Sequence, residues 1–123
     1  METSGIDHIN LTVTDLEQSR RFYADVLGFA LEQVPLDYSN SFAAGSYYFV
    51  AGNVEIVLVS HASTLSGDRF DETRPGLDHL SFMAPDEAAL HALAETLDQA
   101  GVTHSGVQRY APNRKQYIMT YWE

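Results

Sequence analysis

Two histidines stand in matching contexts 71 positions apart. The stretch Gly5-Ile6-Asp7-His8-Ile9-Asn10-Leu11-Thr12-Val13 returns as Gly76-Leu77-Asp78-His79-Leu80-Ser81-Phe82-Met83-Ala84. Gly, Asp and His recur identically, and most other positions swap like for like. Each copy has the pattern of a short strand, in which alternate side chains face opposite ways. His8, Asn10 and Thr12 then share one face, repeated by His79, Ser81 and Met83. A third residue stands out at Glu55, a lone carboxylate in the otherwise apolar run Val54 to Val59. An unpaired buried charge is costly, and a neighbouring cation is one way to offset it. Two imidazoles and a carboxylate suit Zn, Ni, Fe, Mn or Co. Such an ion can polarise a carbonyl, steady an enediolate or bind oxygen.

A plainer account competes at every one of these positions. A histidine in a strand is more often a satisfied or half-exposed residue than a ligand, and it is the repeat that makes a pair of His8 and His79. Glu55 could lie on a solvent-facing edge. His61, His91 and His104 lack a repeat partner and read as bystanders. The aromatic run Tyr47-Tyr48-Phe49 alternates across a strand, so one or two of its rings could line a pocket, although core and hairpin packing explains them as well. Tyr117, Tyr121 and Trp122 share that ambiguity. Arg69 and Arg74 could hold an anionic substrate group. Other chemistries find no footing: the chain has no cysteine, no Gly-x-Ser-x-Gly elbow and no glycine-rich phosphate loop.

The elements that would position these residues follow from turn and cap signals. Thr14 with Glu17 has the form of a capping box, opening a helix from about Asp15 to Leu27. Its apolar stripe is Leu16, Phe22, Tyr23, Val26 and Leu27, with Ser19 as a gap, and Gly28 ends it. Phe29 to Val34 reads as a strand ended by Pro35, and Leu36 to Gly45 as a loop. Ser46 to Ala51 and Val54 to Ser60 are strands joined by a Gly52-Asn53 turn. After a linker from His61 to Pro75, Leu77 to Ala84 restarts the pattern. Pro85-Asp86-Glu87 opens a second helix, with Leu90, Leu93, Ala94, Leu97 and Ala100 as its stripe and Gly101 as its end. Val102 to Tyr110 and Lys115 to Trp122 close the pattern as strands around a turn at Ala111 to Arg114. The first half is strand, helix and three strands; the second stops one strand short. By symmetry, the fourth ligand is expected on a strand beyond Glu123.

Bulk properties bound the rest. The 123 residues make one structural domain of two halves, residues 1–60 and 76–123 around the linker. Apolar content of 45% is enough for a core. Seventeen acidic against seven basic side chains give a net charge of -10, which disfavours nucleic acid and anionic membrane surfaces. No window approaches the roughly 18 apolar residues of a membrane span. The N-terminus lacks signal-peptide character and cysteine is absent, which fits a cytoplasmic location.

Gly5-Ile6-Asp7-His8-Ile9-Asn10-Leu11, then Asp15-Leu16 and Phe22-Tyr23-x-x-Val26-Leu27-Gly28-Phe29, resembles the opening module of the vicinal oxygen chelate superfamily. That group includes glyoxalase I, the fosfomycin and bleomycin resistance proteins and the extradiol dioxygenases. The resemblance implies an α+β fold of two tandem βαβββ modules, whose mixed sheet forms a cup around a divalent metal. Family ligands come from the first and last strand of each module, which here are His8, Glu55 and His79. The resemblance further implies a homodimer and a small-molecule substrate. The function expected is a metal-dependent glyoxalase-like lyase or isomerase, or a related dioxygenase, with Glu55 as catalytic proton carrier. The competing expectation is a metal-free protein that sequesters a drug-like molecule, for which the acidic balance suits a cationic ligand. A third is a protein whose histidines only pack.

Overall fold

The computed structural model describes residues 2–34, 43–65, 67–109 and 117–119. The chain forms two compact units, residues 1–80 and 81–123. In the first, β1 (His8–Thr12) leads into α1 (Leu16–Arg21), followed by β2 (Glu32–Gln33), β3 (Ala43–Ala51) and β4 (Val54–His61). They make a four-stranded sheet in the order β1-β4-β3-β2. The β1–β4 pair is parallel, while β3 runs antiparallel to both β4 and β2. In the second unit lie α2 (Glu87–Ala100) and the antiparallel pair β5 (Gln108–Arg109) and β6 (Tyr117–Ile118). This is the α+β architecture expected. Among the described residues no helix is long and apolar enough to cross a membrane.

The first helix is capped one residue later than the Thr14–Glu17 pattern suggests. Asp15 is extended, and its carboxylate accepts from the Gln18 amide at 2.9 Å. Asp15–Gln18 has the same box spacing as Thr14–Glu17, so the two signals overlap. After Arg21 the helix widens into a π turn over Phe22–Val26, where the Leu27 amide donates to the Phe22 carbonyl at 3.0 Å. Phe22 and Tyr23 are both buried there. Ser19, the gap in the apolar stripe, is buried too: its small side chain continues the contact face. Gly28 then turns the chain at φ +78°, a left-handed angle that favours glycine.

Only one face of the sheet is packed by this helix. Ile56, Leu58 and Phe49 are almost fully buried, and the Phe49 ring lies 4.4 Å from that of Phe29 and 5.1 Å from that of Tyr23. Gly45 lets Leu16 approach closely: a Cβ there would sit 3.0 Å from Leu16 Cδ2. The Gly52-Asn53 turn joins β3 to β4 as expected, with Gly52 at φ +66°.

Three expectations shift. β3 begins at Ala43, inside the stretch read as loop; Pro35 and residues 36–42 of that loop lie outside the described residues. The Phe29 to Val34 strand pairs with β3 at Glu32 and Gln33, and the Val34 amide adds a bond to the Ser46 carbonyl at 3.1 Å. Residues 77–84 form no ladder among the described residues. In the first half β1 pairs with β4, the third strand after its helix. Among the described residues the strands that follow α2 are β5 and β6, which pair with each other. The side chains keep the strand alternation all the same: from His79 to Ala84 they are exposed and half-buried by turns, as from His8 to Val13.

α2 matches its sequence signals closely. Asp86 caps it by accepting from the Ala89 amide at 2.8 Å, and Gly101 ends it at φ 70°. Leu97 is fully buried in its stripe. The turn expected at Ala111 to Arg114 lies outside the described residues, as do Tyr121 and Trp122.

Candidate functional site

In the parallel β1–β4 ladder His8 is the register partner of Glu55. Register partners on adjacent strands project to the same face about 4.8 Å apart. Alternation puts Glu55 opposite to the buried Ile56 and Leu58, so this is the sheet face that the helix leaves open. Two of the three residues singled out by type and spacing are thus brought together by backbone pairing. His79 lies in the stretch that forms no ladder among the described residues. Among the described residues no group of three His, Asp or Glu side chains converges to hold a metal. The donor set fits a borderline divalent ion in kind, with imidazole nitrogen beside carboxylate oxygen. The His8–Glu55 pair sets one imidazole and one carboxylate side by side.

Each repeated histidine is held by the aspartate before it. His8 Nδ1 lies 2.8 Å from Asp7 Oδ2, and His79 Nδ1 lies 2.5 Å from Asp78 Oδ1. A carboxylate cannot donate when ionised, so each imidazole carries its proton on Nδ1. That leaves the Nε2 lone pair free, the arrangement that second-shell carboxylates give to metal-binding histidines. Asp7 and Asp78 recur in the sequence repeat, yet neighbours in a strand are expected to face opposite ways. The repeat was the available signal for them, and the alternation hid it.

The same open face carries a second polar pair. Tyr48 pairs in register with Glu32 on β2 and with Val57 on β4, one row along from Glu55. Its hydroxyl donates to Glu32 Oε2 at 2.7 Å. That hydrogen bond, then partial desolvation and the negative charges of Glu32 and Glu55, raise the Tyr48 phenol above its ordinary value. Of the run Tyr47-Tyr48-Phe49, therefore, Phe49 is core and Tyr48 faces the open side. At the far end of the face Ser46 and Val59 are buried.

The other candidates have structural partners. Arg69 donates to the Asp68 carbonyl at 2.8 Å and Arg74 reaches the Asp68 carboxylate at 3.2 Å, so both are engaged within their own loop. His104 accepts from the Gly106 amide through Nδ1 at 3.1 Å and donates through Nε2 to Asp98 at 3.1 Å, closing the turn after α2. His91 lies 3.6 Å from Glu87, one helical turn away.

Residues 5–120 match the Glyoxalase/Bleomycin resistance protein/Dioxygenase superfamily. The chain belongs to that family, the vicinal oxygen chelate superfamily. Among solved structures it is similar to a glyoxylase/bleomycin resistance protein/dioxygenase domain from Frankia sp. EAN1pec. The two share 33% identity over 98% of this chain and 89% of that one, with a TM-score of 0.80. The fold is also that of lactoylglutathione lyase from Agrobacterium tumefaciens, at 20% identity over 91% of this chain and 80% of that one, TM-score 0.59. It is shared too by the fosfomycin resistance protein FosX from Listeria monocytogenes, solved with Mn(II) and 1S,2S-dihydroxypropylphosphonic acid. That match has 19% identity over 89% of this chain and 77% of that one, TM-score 0.61. A search of curated proteins finds no match.

Proposed function

We propose that this protein is a metal-dependent, glyoxalase-like lyase or isomerase, or a related dioxygenase, acting on a small substrate that offers two oxygens for chelation. His8, Glu55 and His79 are its metal ligands. The observation that carries this reading is the pairing of His8 with Glu55 across β1 and β4, on the face the helix leaves open. When bound, the ion acts as a Lewis acid toward charge that develops on the substrate oxygens. Zn, Ni, Fe, Mn and Co all accept these donors. Asp7 and Asp78 keep the Nδ1 protons of His8 and His79, so that each ring presents Nε2. The Glu55 carboxylate takes a proton from the substrate carbon and returns it to the neighbouring one. Exposure alternates over residues 79–84 as over 8–13, and this with the sequence repeat supports His79 as the third ligand. In this reading the protein acts as a homodimer in the cytoplasm.

Metal analysis of protein purified without a metal-binding tag tests the proposal. About one divalent ion per site is expected, falling to background in His8→Ala and Glu55→Gln. Absence of metal in the wild type, with ligand binding unaffected by His8→Ala or His79→Ala, would establish instead a metal-free binding protein.

A further inference from the structure

The four strands that build the open face contain no lysine or arginine. Their polar side chains on that face include His8, Asn10, Thr12, Glu32, Tyr48 and Glu55, with His61 at the far end of β4. His61 is six residues from Glu55, roughly 20 Å along the strand. The basic residues of the first unit are occupied elsewhere. Arg20 and Arg21 meet Glu17 on the helix at 2.7 and 3.6 Å, and Arg69 and Arg74 are engaged by Asp68 in the loop. The Tyr48 proton is committed to Glu32, so toward a ligand Tyr48 and Glu32 offer oxygen lone pairs.

From this we infer that the site selects a substrate with a neutral or cationic, hydrogen-bond-donating tail, read by Glu32 and Tyr48, and discriminates against an anionic one. The inference rests on the proposed function for the chelating end of the ligand. A metal held by Glu55 would offset that carboxylate, but Glu32 lies two strands away and stays uncompensated. Tyr48 and Glu32 are one and two strands across from Glu55 and two residues along, about 8 and 12 Å between backbones, a span that a short aliphatic tail and the side chains themselves bridge from a chelating head. A phosphonate or carboxylate tail would meet Glu32 with no cation on these strands to receive it. Like-charge juxtaposition of this sort is an effective way to reject a competing ligand. An ammonium or amine tail would complete a charge-assisted hydrogen bond there.

Three hydroxamates of equal length test it: 4-aminobutanohydroxamate, pentanohydroxamate and glutaric monohydroxamate. They share one chelating head and differ only in an ammonium, methyl or carboxylate end. Affinities are measured by calorimetry on Mn(II)-loaded and on metal-free protein. The expected order is ammonium, then methyl, then carboxylate, with roughly tenfold between the extremes at low salt. Glu32→Gln should shrink the spread to within about threefold, while Tyr48→Phe, which keeps the Glu32 charge, should retain most of it. Equal affinities, or a preference for the carboxylate, would overturn the inference and leave the metal reading standing. The same order in metal-free protein would support the charge selection while the metal reading fails. Binding of none of the three to loaded protein would overturn both.

Discussion

Residues 8–13 and 79–84 are near copies, and the structure treats them differently. Both alternate exposed and half-buried side chains, and both hold a histidine Nδ1 against the preceding aspartate. Among the described residues the first is a strand with a ladder, its neighbour being β4, and the second has none. The comparison separates two things that a strand pattern usually conflates. Alternation of side chains is local, set by sequence and an extended backbone. A ladder requires a second strand in the right place, and the repeat cannot supply one by itself.

Amide hydrogen exchange gives this contrast its largest measurable effect. The Val13 amide donates to the Val59 carbonyl at 2.8 Å, and that of Glu55 to the Asp7 carbonyl at 3.0 Å. These amides should exchange on the order of a hundredfold more slowly than those of residues 80–84, since an amide without a ladder partner opens at little cost. Equal protection in the two stretches would mean that the second copy has a pairing neighbour in solution, and the asymmetry would disappear.

Core truncation asks whether each half carries its own packing. Leu58 lies under α1 on the first sheet and Leu97 in the stripe of α2, and both are fully buried. Leu58→Ala and Leu97→Ala should each lower unfolding stability by about 3 kcal/mol in a denaturant melt, from lost burial and the cavity left behind. A loss of under about 1 kcal/mol at Leu97 would show that the second half collapses around the gap in a way the first cannot.

Cap removal is a smaller and more even comparison. Asp15 and Asp86 each accept one amide at the start of their helices. Asp15→Ala and Asp86→Ala should each cost about 1 kcal/mol. A clear inequality would show that one helix start is held mainly by its surroundings.

Helix ends and tight turns were legible because their residues act locally. Gly28, Gly101 and the Gly52-Asn53 turn needed nothing beyond their own backbone angles. The position of the first cap is ambiguous by one residue in the sequence, because the Thr14–Glu17 and Asp15–Gln18 boxes overlap and both satisfy the spacing. Ser19 read as a defect in the helix stripe, since a scale of residue types cannot see that a small side chain under a sheet is a good fit. For the site, the types and repeat singled out His8, Glu55 and His79, and the first two prove to be register partners. Tyr48 was ambiguous within its aromatic run, because which alternate face is open depends on where the helix docks. Its link to Glu32 joins residues 16 positions apart and could not be read without the β2–β3 register.

The tautomer of the two histidines sharpens the comparison without perturbing the fold. In metal-free protein, imidazole nitrogen shifts should show the proton on Nδ1 in both His8 and His79. Asp7→Asn and Asp78→Asn should each shift its own ring toward the ordinary Nε2-protonated mixture and leave the other unchanged. A wild-type spectrum already dominated by the Nε2-protonated form would remove these aspartates from the site.

The smallest effect concerns an arginine–carboxylate pair, which the first helix has and the second, with no lysine or arginine, lacks. Glu17 accepts from Arg20 at 2.8 Å, with Arg21 nearby at 3.6 Å, whereas the last turn of α2 carries no basic residue. The Arg20 hydrogen bond, opposed by slight desolvation, holds the Glu17 carboxyl below its ordinary value. A carboxyl lowered in the folded state binds fewer protons there than in the unfolded chain, so its contribution is complete above the unfolded value. It is lost as pH falls from there through the folded one. A carbon-detected NMR titration should therefore place Glu17 below 4.5, and Arg20→Gln should bring it back toward that value. Both groups are well solvated, so added salt should have the same effect as the substitution in weaker form. A Glu17 midpoint insensitive to both would mean that the pair does not persist in solution, and the two helices would then differ in packing alone.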